Sequence, residues 1–185
     1  LKNLGKSEEA KLCTRKAIKL KPEFAEAYSN LGLILNDLGQ LKESELSLRK
    51  AIELDPNFSD AYVNLGSTLV DLWNLKEAEI VTRKAIAIDP NQADAHKNLA
   101  MILLTYKNFK EGYEENEWRF KCNNYDSPML KTYKPKWIPN KKGCLLIWKE
   151  QGIADEIIYL SLIPDLIDKV DKIILLIDKR LIPLF

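Results

Sequence analysis

Histidine and cysteine are scarce in this chain. One histidine, His96, and three cysteines, Cys13, Cys122 and Cys144, stand among 185 residues. The cysteines are odd in number and lack a C-x-x-C spacing, so no disulfide framework and no zinc or other metal site is expected, and free thiols point to a reducing compartment. Charge of one sign is missing too. Lys plus Arg is 28 against 27 for Asp plus Glu, a formal net charge of +1. That balance argues against a nucleic-acid binder and against a polybasic membrane protein. No apolar run approaches the roughly 20 residues of a membrane span, and no basic stretch leading into an apolar one opens the chain as in a signal peptide. Seven glycines and eight prolines are too few for a low-complexity linker, and 46% hydrophobic residues is the level of a folded chain. A cytoplasmic protein without a membrane span is the expectation. The chain opens at Leu1 without Met and stops at Phe185 inside an apolar segment, which reads as part of something longer.

What the sequence has is a repeat. Pro22, Pro56 and Pro90 lie 34 residues apart. Ala17-Ile18, Ala51-Ile52 and Ala85-Ile86 lead into them. After the prolines come Ala27-Tyr28-Ser29-Asn30-Leu31-Gly32, Ala61-Tyr62-Val63-Asn64-Leu65-Gly66 and Ala95-His96-Lys97-Asn98-Leu99-Ala100. A 34-residue period built from two amphipathic helices resembles the tetratricopeptide repeat. Gly32, Gly66 and Ala100 stand where paired helices approach closely, and His96 takes the place of the packing aromatics Tyr28 and Tyr62. Each proline is expected to begin a helix pair, where its missing N–H costs least.

The expected division is a solenoid of about 3.5 repeats over 1–122, with a lone second helix at 7–20 and helix pairs at 24–54, 58–88 and 92–122. The pattern decays after Gly112, with Arg119 where Ala17, Ala51 and Ala85 stood and no proline at position 124. Before Ser7 the partner helix is reduced to Leu1–Leu4, so an apolar edge is left as if more repeats preceded it. Residues 123–143, with Pro128, Pro135, Pro139 and several lysines, form a linker. From 144 to 185 the character is α/β. Cys144–Trp148 and Ile173–Ile177 are apolar runs of strand length, flanking a helical pattern over Asp155–Val170. Apolar at every position, they read as a right-handed parallel βαβ unit buried on both faces, the start of a Rossmann-like sheet. Pro164 must kink that helix or start a new turn.

Two groups of residues are candidate sites. Asn30, Asn64 and Asn98 recur at the repeat period and form a row on one face, where carboxamides can donate to and accept from an extended peptide backbone. The row resembles the asparagine ladder in the repeat arm of O-linked N-acetylglucosamine transferases; the other reading is that each Asn bonds locally. A carboxylate clamp for acidic C-terminal tails does not fit, because the matching positions include Glu26, Asp37, Asp60 and Asp71. The second group is the loop after the first strand, Glu150, Gln151, Gly152 and Glu156, with Asp155. Ligands of parallel sheets bind at the carboxyl ends of strands. One glycine is too few for a dinucleotide fingerprint, and Gly-Lys-Ser/Thr is missing.

The junction carries a further resemblance. Gly112-Tyr113-Glu114-Glu115-Asn116-Glu117-Trp118-Arg119-Phe120, Pro135-Lys136-Trp137 and Leu146-Ile147-Trp148-Lys149-Glu150-Gln151-Gly152-Ile153-Ala154-Asp155-Glu156 look like bacterial repeat-fused glycosyltransferases of the GT-B fold, related to heptosyltransferases. The resemblance implies a parent enzyme that transfers sugar from a sugar nucleotide, with Asp155 as the base that takes the acceptor's proton. It also implies a second α/β lobe that binds the nucleotide and is missing here, so these 185 residues alone are expected to hold no cofactor and to be inactive. This sequence has Ala154 where that family has Gly. Read without the resemblance, Asp155 is a helix N-cap. The alternative for the whole protein is a non-catalytic scaffold; either way the repeats would bind a protein or peptide on their concave face.

Overall fold

The computed structural model describes residues 2–122, 130–138, 142–148 and 153–184. Its contacts divide the chain into two units, Leu1–Asn123 and Asn124–Phe185. The first is helical throughout: α1 Lys2–Leu20, α2 Ala25–Asp37, α3 Leu41–Leu54, α4 Ser59–Asp71, α5 Leu75–Ile88, α6 Ala93–Thr105 and α7 Phe109–Asn116, with a 3-10 turn over Glu117–Lys121. Each even-numbered helix packs on the odd-numbered helix that follows, and each odd-numbered helix on the next even one. In addition α2, α4 and α6 lie side by side. They form one layer of the stack and α3 and α5 the other.

Close approach inside each pair depends on having no side chain at one position. A Cβ on Gly32 would stand 2.4 Å from Leu48 Cγ, and one on Gly66 would stand 2.4 Å from Thr82 Oγ1. Around these points lies a core of Leu48, Leu65, Leu69, Ala78 and Ile102, all with 1% exposure or less. A smaller cluster joins Val63, Ala85 and Ala95 between neighbouring pairs.

The turns repeat as the helices do. Gln40 N–H reaches back to the Leu35 carbonyl and Gly39 N–H to Asn36, a 6→1 and 4→1 closure that ends α2. The residue in the bend is left-handed each time: Gly39 (φ 72°), Trp73 (φ 58°) and Lys107 (φ 62°). Between pairs, the prolines sit in a turn and do not open the helix; α2, α4 and α6 start three residues after them. Phe58 N–H bonds the Asp55 carbonyl at 3.2 Å across Pro56, and Asp55 Oδ1 accepts the Asn57 N–H at 3.0 Å. Asp89 does the same for Asn91. A proline-directed turn with an Asx bond is the better use of these residues, because it reverses the chain before the helix begins.

At the other end of the unit the expectation of a short partner helix fails. Gly5 lies 34 residues before Gly39, in turn register, yet α1 runs unbroken from Lys2. A glycine costs a helix only about 1 kcal/mol, too little by itself to break one.

In the second unit β1 (Cys144–Trp148) pairs in parallel with β2 (Lys172–Leu176), Cys144 opposite Lys172 and Trp148 opposite Leu176. The crossover is two short helices, α8 (Ile153–Leu160) and α9 (Pro164–Ile167). Pro164 starts the second, which settles its role: its missing N–H falls in a first turn. The strands are not buried on both faces. Leu145, Ile147, Ile173 and Leu175 are half-buried, whereas Leu146, Ile174 and Leu176 are exposed. Among the described residues of this unit, Leu160, Val170 and Leu181 are the buried apolar ones. A two-stranded pair does not amount to a GT-B domain.

Candidate functional site

The side-by-side layer of α2, α4 and α6 carries one stripe per helix, spaced i, i+4, i+7, i+11, which keeps one face of a helix. In α2 the stripe is Glu26, Asn30, Leu33 and Asp37, all exposed. In α4 it is Asp60, Asn64, Ser67 and Asp71, and in α6 Asp94, Asn98, Met101 and Thr105. Carboxylates therefore border the face at both ends of α2 and α4, with an amide and Leu33 between them on α2 and an amide and the Ser67 hydroxyl on α4.

The three asparagines are not equivalent. Asn30 is exposed, Asn64 donates to Ser29 Oγ at 3.2 Å, and Asn98 is 8% exposed and donates to the Val63 carbonyl at 3.4 Å. Going along the row, more of each amide is engaged between neighbouring repeats. Other cross-repeat bonds fix the bordering acids: Asn36 donates to Asp71 at 2.9 Å and Gln92 to Asp60 at 2.6 Å.

At α6 the face deepens into a cavity of about 550 Å³ lined by Lys97, Asn98, Met101, Leu104, Thr105 and Asn116. Lys97 Nζ lies 3.4 Å from Asp94. The wall beyond is the cap of the stack. Here His96 is buried, with Nε2 donating to the Pro90 carbonyl at 3.0 Å and Nδ1 meeting the Glu115 carboxylate. Its ring stacks on Trp118 at 3.9 Å, and Lys121 sits over the other ring system at 3.5 Å. His96 is thus fully used by the cap. Buried Cys122, whose Sγ lies 3.8 Å from the Trp118 carbonyl, has its thiol pushed up, first by burial and then by the Asp94 carboxylate. Of the cavity residues the sequence offers Asn98 alone as a site residue; for the others the i, i+4, i+7, i+11 spacing in the first helices was the signal available.

In the second unit, Glu150, Gln151 and Gly152 lie outside the described residues. Asp155 stands in α8 two residues after its first, past the N-cap position assigned to it from sequence, and its side chain is outside the description. Glu156 is 7% exposed and its Oε2 accepts the Asp178 N–H at 2.8 Å, tying α8 to the chain after β2. Among the described residues no group of three or more His, Cys, Asp or Glu is placed to hold a metal, and no helix is long and apolar enough to cross a membrane.

Three tetratricopeptide-repeat models match, over residues 1–24, 25–58 and 47–79. No curated protein matches the sequence. Among solved structures, MamA is 24% identical with a TM-score of 0.58, the match covering 68% of this chain and 73% of that one. MamA from Desulfovibrio magneticus RS-1 is 25% identical, TM-score 0.55, over 62% and 65%. YrrB, described as a TPR protein with an unusual peptide-binding site, is 27% identical, TM-score 0.54, over 62% of this chain and 59% of its own. The helical unit of the chain is built of tetratricopeptide repeats.

Proposed function

We propose that the repeats bind a protein or peptide laid across α2, α4 and α6. The observation that carries this is the stripe on three adjacent helices, each with a carboxylate and an amide, joined by Leu33 on α2, Ser67 on α4 and Met101 on α6. The peptide-binding site that YrrB's description records on a similar stack supports it. Amide chemical shifts followed during titration with a peptide library test the reading. Perturbations gathered on α2, α4 and α6 are expected; perturbations confined to α3 and α5, or none, would refute it.

For the parent protein we propose a sugar transferase. Residues 144–185 would be the first part of a GT-B-like domain, a sugar nucleotide the donor substrate, a second α/β lobe the donor's seat, and Asp155 the acceptor's base. The parallel β1–α8–α9–β2 order and the resemblance at the junction support this. The burial of Glu156 in a structural hydrogen bond favours the scaffold alternative, since it removes one of the loop's carboxylates from chemistry. Sugar-nucleotide turnover by the full-length protein, lost in Asp155→Asn with the fold intact, is the outcome expected of a transferase. No turnover and no nucleotide binding would leave the scaffold.

A further inference from the structure

We infer that the peptide taken by α2, α4 and α6 is basic and extended, and places one apolar side chain in the cavity at α6. This deepens the peptide-binding reading and rests on it. Nearly balanced overall, the stack carries an excess of one sign only in its first-helix layer. The three first helices carry five carboxylates, Glu26, Asp37, Asp60, Asp71 and Asp94, against one lysine, Lys97. The second helices are close to neutral: α3 sets Lys42, Arg49 and Lys50 against Glu43, Glu45 and Glu53, and α5 sets Lys76, Arg83 and Lys84 against Glu77 and Glu79. Lys97 and Asp94 face each other, so the uncompensated charge lies on α2 and α4. Gln92 and Asn36, which hold Asp60 and Asp71, are neutral and leave that charge in place.

Apolar surface complements it at the other end. Met101 is 47% exposed, and with Leu104 it forms the apolar part of the cavity wall. Packed helices sit about 8–10 Å apart. A polyproline-II chain rises about 3.1 Å per residue and turns once in three residues, so every third side chain would meet the next helix on the same side. Lysines or arginines three residues apart would then face the acids of α2 and α4 in turn, and a Leu or Met beyond them would enter the cavity. Acidic peptides would meet the same border and be repelled.

The test uses the whole chain and three fluorescent 12-residue peptides. The first has lysine at every third position and a terminal-side leucine; the others replace each lysine with serine or with glutamate. The lysine peptide is expected to bind at least tenfold more tightly than the serine one and to weaken as salt rises. Asp37→Asn combined with Asp71→Asn is expected to remove most of that advantage, and Met101→Lys to weaken all binding while helicity is unchanged. Equal affinity for the lysine and serine peptides, or tighter binding of the glutamate peptide, would overturn the inference and leave the peptide-binding reading standing. Binding of none of the three, with the library also silent, would overturn both.

Discussion

The most informative residues at the smallest scale are those whose local cost is visible. Thr82 is fully buried beneath Gly66, and its Oγ1 has no hydrogen-bond partner among the described residues. An unpaired buried hydroxyl costs about 1–3 kcal/mol. Thr82→Val keeps the shape and removes the polar atom, so the urea midpoint should rise, by about 1 kcal/mol in stability; a fall would mean that the hydroxyl finds a partner. The opposite is expected of Gly32→Ala, whose Cβ would stand 2.4 Å from Leu48 in the tightest part of the core. Overpacking of that kind costs about 1–3 kcal/mol. Trp73 shows a cost of another sort. It occupies the left-handed bend that Gly39 fills in the preceding pair, and 80% of it is exposed. A side chain there is disfavoured by about 1–2 kcal/mol, and little packing is lost with it. Trp73→Gly should therefore stabilise the protein in thermal denaturation, in contrast to Trp118→Ala, which would remove the ring stacked on His96.

Between elements, the second helices are tied by a charge ladder that repeats with the sequence. Arg15 bonds Glu43 at 2.9 Å, Arg49 bonds Glu77 at 2.6 Å, and Arg83 bonds Glu111 at 2.8 Å. Arg49 also bonds Glu45 within α3. That bond holds the Glu45 carboxyl below its ordinary range, against the opposing effect of burial. A lowered folded-state pKa stabilises above the unfolded value and is lost as pH falls through the folded one. Arg49→Met is therefore expected to cost about 0.5–1 kcal/mol at neutral pH and low salt, since exposed pairs are weak and screened. The gap to the parent protein should close in acid or in molar salt, and a gap that persists there would assign the loss to packing of the arginine stem. The same scale shows what the sequence made legible. A 34-residue period places helices and turns well, because each turn has its own chemistry at a fixed offset. It misplaced the start of α1, where Gly5 keeps the turn register yet lies inside the helix. Periodicity also picked out Asn30, Asn64 and Asn98 as a row. Their unequal engagement depends on how neighbouring helices approach, which no single repeat encodes.

Across the whole molecule, stability should follow the number of neighbours each element has. A repeat stack contacts only adjacent repeats, so its middle is held from both sides and its ends from one. The fully buried Leu48, Leu65, Leu69 and Ile102 draw on α3, α4 and α6. The β1–β2 pair is in the opposite position. Apolar sequence made its strands legible, but a run of apolar residues cannot say whether anything covers it; Leu146, Ile174 and Leu176 are 38%, 43% and 51% exposed. Two strands bury too little to stand firmly by themselves. Hydrogen exchange on the intact chain should accordingly find the slowest amides in α4 and α5, faster ones in α1 and α7, and the fastest of all the regular elements in β1 and β2. Protection in β1 and β2 equal to that in α4 would refute this ordering, because it would require cover for the sheet that these exposures do not show. The same exchange experiment repeated with the lysine peptide bound should slow α2, α4 and α6 and leave the two strands unchanged, which separates a ligand on the repeats from one at the strand ends.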